Sequence, residues 1–230
     1  MSDHFINPVD VVRAIEVSCL KADSSEIDIR KMCDEAKHYS FAVVFAMSSW
    51  LPLTSELLSG SGVRVGASIG FPLGSHSTFV KVMETRDAIA SGAQDIDMVL
   101  NVGKLKSGYV DKVEADVRAV VEAAEGRVVK VILENCYLTT EEKRDACQIC
   151  KQAGADYVKT SSGFSPSGAT LEDIRLMREV VGPEMGVKAA GGIRTYEQAL
   201  QFIQAGANRL GTSSGIRIAE EVKRMSSSTV

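Results

Sequence analysis

Two copies of one segment carry the first chemical clue. Gln152-Ala-Gly-Ala-Asp-Tyr-Val-Lys-Thr-Ser-Ser-Gly163 recurs as Gln204-Ala-Gly-Ala-Asn-Arg-Leu-Gly-Thr-Ser-Ser-Gly215, identical at eight of twelve positions. This is an internal repeat. Where the second copy has Gly211, the first has Lys159, preceded by apolar Val158. A lysine confined to an apolar strand loses hydration, which lowers its pKa and frees the amine to attack a carbonyl. The chemistry would be a Schiff base; a lysine snorkelling from the strand end or paired with a carboxylate is the structural alternative.

A second strand lysine strengthens the first reading. Lys188, in Gly186-Val-Lys-Ala-Ala-Gly-Gly-Ile-Arg194, aligns at a similar height on the next strand, about 4.8 Å away. Two ammonium groups about 4 Å apart at an effective dielectric of about 20 repel by roughly 4 kcal/mol, enough to depress one pKa by up to about three units. Lys159 is therefore expected to be largely neutral near pH 7. Lys130, one strand earlier, is a third candidate whose side chain points either inward or to solvent. Asp97, between Ile96 and Met98, is the group to move protons as general acid or base, or else an ion pair for the lysines. Glu16 and Glu134 at strand ends fit a supporting shell.

The third constellation is backbone. Gly191-Gly-Ile-Arg194 and Gly211-Thr-Ser-Ser-Gly215 each lead into a helix, where glycines let N–H groups converge on an anion and Arg194 adds a charged donor. A phosphate is the expected ligand. Cys147 and Cys150 form a C-x-x-C with no second pair, inside a helical pattern, and read as helix residues and not as a redox or metal pair.

These residues need elements to hold them. Short β-branched runs near 16–20, 41–46, 63–69, 95–101, 128–134, 156–160, 186–190 and 209–212 alternate with stretches of helical period, which predicts parallel strands joined by crossover helices. Phe79, Val82, Met83, Arg86 and Ile89 fall on one helical stripe, as do Val113, Val117, Val120, Val121 and Ala124. Thr139 to Glu142 and Thr195 to Gln198 read as capping boxes. The 52-residue repeat offset equals two strand–helix units of about 26 residues, and eight units closing on themselves make a single-domain α/β fold, the (β/α)8 TIM barrel. In such barrels the loops after strands seven and eight are the common phosphate site. An open doubly wound sheet is the alternative. One barrel is expected over residues 1–230, with a short N-terminal helix before strand one and a frayed tail after residue 225.

Composition narrows the function classes. With 26 Lys and Arg against 30 Asp and Glu, the net charge is −4, which disfavours nucleic acid and anionic membranes as partners. The longest purely apolar run is seven residues, Phe41 to Met47, against about 20 for a membrane span. Five unpatterned cysteines fit a reducing compartment, so a cytoplasmic protein is expected, without a metal site. An exposed helix ring leaves room for a homodimer, and Trp50 and Leu51 read either as a pocket cover or as part of a partner interface.

At this point the chain resembles the deoxyribose-phosphate aldolase family, through Gly70-Phe-Pro-Leu-Gly74 with Thr78, Asp95-Ile-Asp-Met-Val99, Lys130-Val-Ile-Leu-Glu134, Ala155 to Phe164, Gly168-Ala-Thr170, Lys188 to Thr195 and Gly211-Thr-Ser-Ser214. The resemblance covers about residues 10 to 218. It implies a (β/α)8 class I aldolase without metal or other cofactor, in which Lys159 forms the imine, Lys188 perturbs its pKa and Asp97 takes part in proton transfer. It further implies that Gly163, Gly191, Gly192, Arg194, Gly211, Ser213 and Ser214 surround the phosphate of 2-deoxy-D-ribose 5-phosphate, which is cleaved to acetaldehyde and D-glyceraldehyde 3-phosphate. It would place the protein in carbohydrate and nucleoside catabolism. Departures lie early in the chain: Glu16 and Ser18 stand where the family usually has Asp and Thr, Phe45 where it often has cysteine, and Met47-Ser48 where x-Pro is usual. They leave open another phosphosugar by the same mechanism, or a barrel that binds a phosphosugar without turnover.

Overall fold

Eight short strands alternate with helices through residues 6–227, the part of the chain that the computed structural model describes. The first half runs α1 (Pro8–Arg13), β1 (Ile15–Cys19), α2 (Glu26–Tyr39), β2 (Val43–Ala46), α3 (Leu51–Leu58), β3 (Arg64–Ile69), α4 (Thr78–Ala90) and β4 (Asp95–Val99). After α5 (Val102–Lys106) and α6 (Val110–Ala123) come β5 (Val128–Ile132), α7 (Thr140–Gln152) and β6 (Tyr157–Lys159). The chain then continues through α8 (Leu171–Val181), β7 (Gly186–Ala190), α9 (Tyr196–Gln204), β8 (Arg209–Gly211) and α10 (Gly215–Ser227).

Each strand pairs in parallel with the next, and β1 pairs with β8, so the sheet closes and the open alternative is excluded. All eight expected strands form, six of them one or two residues shorter than their expected runs, because the ends of those runs pass into the flanking turns and loops. The expected N-terminal helix is α1, whose first turn is capped by the Asn7 side chain. The expected tail falls partly in α10, which continues to Ser227, and otherwise outside the described residues. Among the described residues no helix is long and apolar enough to cross a membrane.

Side chains alternate across a strand, and here the two faces differ in chemistry. Ile15 and Val17 on β1, Val44 and Ala46 on β2, Ile96 and Met98 on β4, Val129 and Val131 on β5, and Val187 and Ala189 on β7 belong to the apolar core packed against the helices. The intervening positions, Glu16, Phe45, Asp95, Asp97, Lys130, Lys159 and Lys188, turn toward the barrel axis and are buried as well. The core is thus a shell around an axis lined with charge.

The helices bury one stripe each, and α6 follows its pattern, with Val113, Val117, Val120 and Ala124 fully buried. The α4 stripe is a correction: Phe79 is 73% and Met83 44% exposed, while Lys81, Thr85 and Ala88 are buried. The reason is a buried ion pair. Lys81 Nζ lies 2.6 Å from Asp116 of α6 and donates to the Val99 carbonyl at 2.9 Å, and Thr78 donates to the same carboxylate. That polar lock turns the apolar stripe outward. Thr139 and Glu142 form the expected reciprocal capping box. The box at Thr195 is half formed, because Gln198 accepts from the Arg194 N–H instead. Cys147 and Cys150 are buried helix residues whose thiols burial pushes up, Cys147 to about 12.

Candidate active site

Strand register brings the predicted lysines level. Lys159 on β6 is the Cα partner of Lys188 on β7, and Ile132 on β5 is the partner of Lys159. Asp97 on β4 lies across the axis and holds both: Lys159 Nζ donates to its Oδ2 at 2.8 Å and Lys188 Nζ to the same oxygen at 2.7 Å. The other carboxylate oxygen makes no hydrogen bond and lies 3.4 Å from Lys130 Nζ. Glu16 pairs with Lys188 and sits 3.4 Å from Lys130, while Asp95 pairs with Lys130 and lies 2.7 Å from Arg64. Three buried lysines therefore face three buried carboxylates. Desolvating each charge costs several kcal/mol, which this mutual pairing offsets.

The lysines are not equivalent. Burial pushes the Lys159 ammonium down; Asp97 pulls it up and Lys188 pushes it down again, leaving its pKa at about 8. Burial thus outranks the like-charge repulsion expected to dominate, and a pKa of about 8 leaves only a minor neutral fraction at pH 7, not the largely neutral amine expected. Lys130 is held well above the ordinary lysine value, since Glu16, Asp97 and Asp95 outweigh its burial. Burial pushes Asp97 upward, but Lys159, Lys188 and Lys130 together hold it well below the usual carboxylate range. Asp97 is a carboxylate at rest, able to accept a proton and not to donate one. An amine that is partly neutral near pH 8, touching a carboxylate, can attack a carbonyl.

Lys159 and Lys188 reach a cavity of about 430 Å³ at the C-terminal end of the barrel, the end where barrels of this kind place their sites. Glu16, Ser18 and Phe45 line its wall, as do Gly163, Gly191, Gly192, Arg194, Gly211 and Ser213. Four predicted residues are not on that wall. Asp97 lies behind the lysines, fully buried. Lys130 lines a separate cavity at the opposite end, beside Arg64 and Arg209. Glu134 is buried with both carboxylate oxygens accepting from the Ser162 N–H, at 3.1 and 3.2 Å, so it fixes the loop after β6. It holds that position in the left-handed region, φ 58°, a conformation that costs a non-glycine residue about 1–2 kcal/mol. The Ser214 N–H is already engaged by Thr212 Oγ1 at 2.9 Å.

The glycine-rich loops are tied to one another. Thr212 Oγ1 donates to the Ile193 carbonyl at 2.6 Å, and Ala169 N–H, from the loop before α8, donates to the Gly191 carbonyl at 3.1 Å. Gly191 and Gly192 take φ values of 91° and 83°, which side chains resist. Among the described residues the Arg194 guanidinium has no ion-pair partner. The sequence did not single out Leu20, Lys21, Phe164, Ala190 or Ile193 as wall residues; Ser162 and Thr212 also line the wall and lie inside the two Thr-Ser-Ser-Gly repeats. Trp50 is half-buried against the core and Leu51 fully buried, and neither lines the cavity.

Residues 13–220 match the profile of the DeoC/LacD family aldolases. The chain belongs to that family. The aldolase is 57% identical to the deoxyribose-phosphate aldolase of Streptococcus sanguinis over 204 residues, 89% of this chain and 93% of the relative. It is 55% identical to that of Thermococcus gammatolerans, over 92% of this chain and 96% of the relative. Among solved structures, the aldolase superposes on one described as QR15, an aldolase, with TM-score 0.90 and 40% identity, covering 94% of this chain and 97% of that one. A deoxyribose phosphate aldolase from Aeropyrum pernix, described as having a unique tetrameric structure, gives TM-score 0.88 and 32% identity over 95% of this chain and 93% of its own.

Proposed function

We propose that this aldolase reversibly cleaves 2-deoxy-D-ribose 5-phosphate to acetaldehyde and D-glyceraldehyde 3-phosphate through an imine on Lys159. The observation that carries the reading is the triad on the cavity side of the barrel: Lys159 and Lys188 on one oxygen of Asp97, with Lys159 titrating at about 8. Relatives more than half identical in sequence that are named for this reaction support the substrate.

The neutral Lys159 amine attacks the C1 aldehyde of the open-chain sugar, and loss of water gives the protonated imine. That cation withdraws electrons from C2. Removal of the proton from the C3 hydroxyl breaks the C2–C3 bond, releases glyceraldehyde 3-phosphate and leaves an enamine on the lysine. Asp97, held as a carboxylate behind the two lysines, is the base for this proton through an intervening water. Returning a proton to C2 and adding water across the imine releases acetaldehyde and restores the amine. Lys188, beside the imine nitrogen, opposes protonation of the resting Lys159 amine. Gly163, Gly191, Gly192, Arg194, Gly211 and Ser213 take the phosphate, with Ser214 supporting from behind the wall, as the tied loops and unpaired guanidinium favour.

A coupled assay for glyceraldehyde 3-phosphate across a panel of phosphosugars, with and without chelator, tests the substrate. The expected result is chelator-insensitive turnover with deoxyribose 5-phosphate preferred. Glu16, Ser18 and Phe45 all line the cavity, so a large preference for a different phosphosugar would transfer the same mechanism to that substrate. Binding with no turnover of any phosphosugar would contradict the enzymatic reading.

A further inference from the structure

One aromatic ring lies among the three axial lysines. Phe45 on β2 is 3% exposed, and its ring centroid is 4.2 Å from Lys188 Nζ, 4.9 Å from Lys130 Nζ and 5.8 Å from Lys159 Nζ. The neighbouring strand makes room for it. Phe45 pairs in register with Gly66 on β3, where a Cβ would fall 2.5 Å from the ring. The face of an aromatic ring is the negative pole of its quadrupole and attracts an ammonium within about 6 Å, most strongly where water is excluded. That attraction falls steeply with distance. Lys188 lies well inside its range and Lys159 at its edge.

The difference matters because Lys159 and Lys188 share one acceptor at nearly equal distances, 2.8 and 2.7 Å. Hydrogen bonding to Asp97 alone does not decide which amine is neutral once the pair has lost a proton. The remaining charged groups are Glu16 on β1, Arg64 on β3, Asp95 on β4, Lys130 on β5 and Arg209 on β8. Glu16 pairs with Lys188, and lies 3.4 Å from Lys130 and 3.7 Å from Arg209. Asp95 is taken up by Lys130 and Arg64. Glu16 and the ring therefore act in the same direction.

We propose that Phe45 is a positioning residue of the imine chemistry: its ring face holds the positive charge on Lys188 and so leaves the neutral amine on Lys159. This rests on the reading of Lys159 as the nucleophile. Gly66 is part of the same device, because a side chain there would displace the ring.

The test replaces Phe45 by 3,5-difluorophenylalanine and pentafluorophenylalanine, which keep the ring's shape while weakening and then reversing the charge on its face. Phe45→Leu removes the face while leaving the site apolar. With deoxyribose 5-phosphate, kcat should fall stepwise along the fluorine series, by roughly 5-fold at the pentafluoro ring, with KM within about twofold. Phe45→Leu, which removes the face without reversing it, should fall between the difluoro and pentafluoro variants. An unchanged kcat along the series overturns the proposal, as does parental kcat in Phe45→Leu. Borohydride trapping in the parent separates the two layers. An adduct on Lys159 with a flat fluorine series defeats the role of Phe45 alone, whereas an adduct on Lys188 defeats the nucleophile assignment and the proposal with it.

Discussion

The reactivity proposed for Lys159 rests on what surrounds its nitrogen. Burial removes water from the ammonium, and with Lys188 nearby this outweighs the pull of Asp97, so the amine titrates at about 8. The acidic limb of kcat/KM should therefore lie near pH 8, with the rate rising as pH rises through it, because only the neutral amine attacks. Lys188→Met removes a like charge and leaves more of Asp97 to Lys159. Both changes stabilise the Lys159 ammonium, so the limb should move upward, by on the order of one unit; an unmoved limb contradicts the electrostatic role. Lys159 was legible in the sequence because its repeat partner is Gly211, and the structure explains that glycine too: a Cβ at Gly211 would lie 3.3 Å from the Lys188 stem and 2.9 Å from Ala190. The sharing of one Asp97 oxygen was not legible. It arises only when strands far apart in sequence converge on the axis.

Among the elements, the glycine-rich loops on the cavity wall were readable because glycines, Arg194 and helix starts fall at the seventh and eighth strands. Arg194→Ala should raise KM for deoxyribose 5-phosphate by about 10- to 100-fold, as expected for losing a charged hydrogen bond, and should leave cleavage of unphosphorylated 2-deoxyribose nearly unchanged. Equal loss on both substrates would place the arginine elsewhere. Helix α4 was misread. Periodicity finds an apolar stripe but not the side it faces, and here the buried Lys81–Asp116 pair decides. Glu134 was recognised as a supporting residue, but its carboxylate grip on the Ser162 N–H depends on a left-handed backbone that sequence does not reveal.

At the scale of the whole molecule, alternating strands put apolar residues in a shell and charges on an axis, and the closed register makes one end of that axis reactive. The outer shell carries its own polar lock. Lys81→Met leaves Asp116 buried without its partner and should cost about 3–5 kcal/mol in urea unfolding, while Lys81→Met with Asp116→Leu should recover most of it. No loss in the single variant would show that the pair does not fix α4. The central claim is that Lys159, alone among the three axial lysines, bonds to substrate. Borohydride reduction with deoxyribose 5-phosphate, followed by peptide mass mapping, tests it most directly. A reduced adduct on Lys159 that disappears in Lys159→Ala together with turnover is the expected result; an adduct on Lys188 or Lys130, or full turnover in Lys159→Ala, would contradict it.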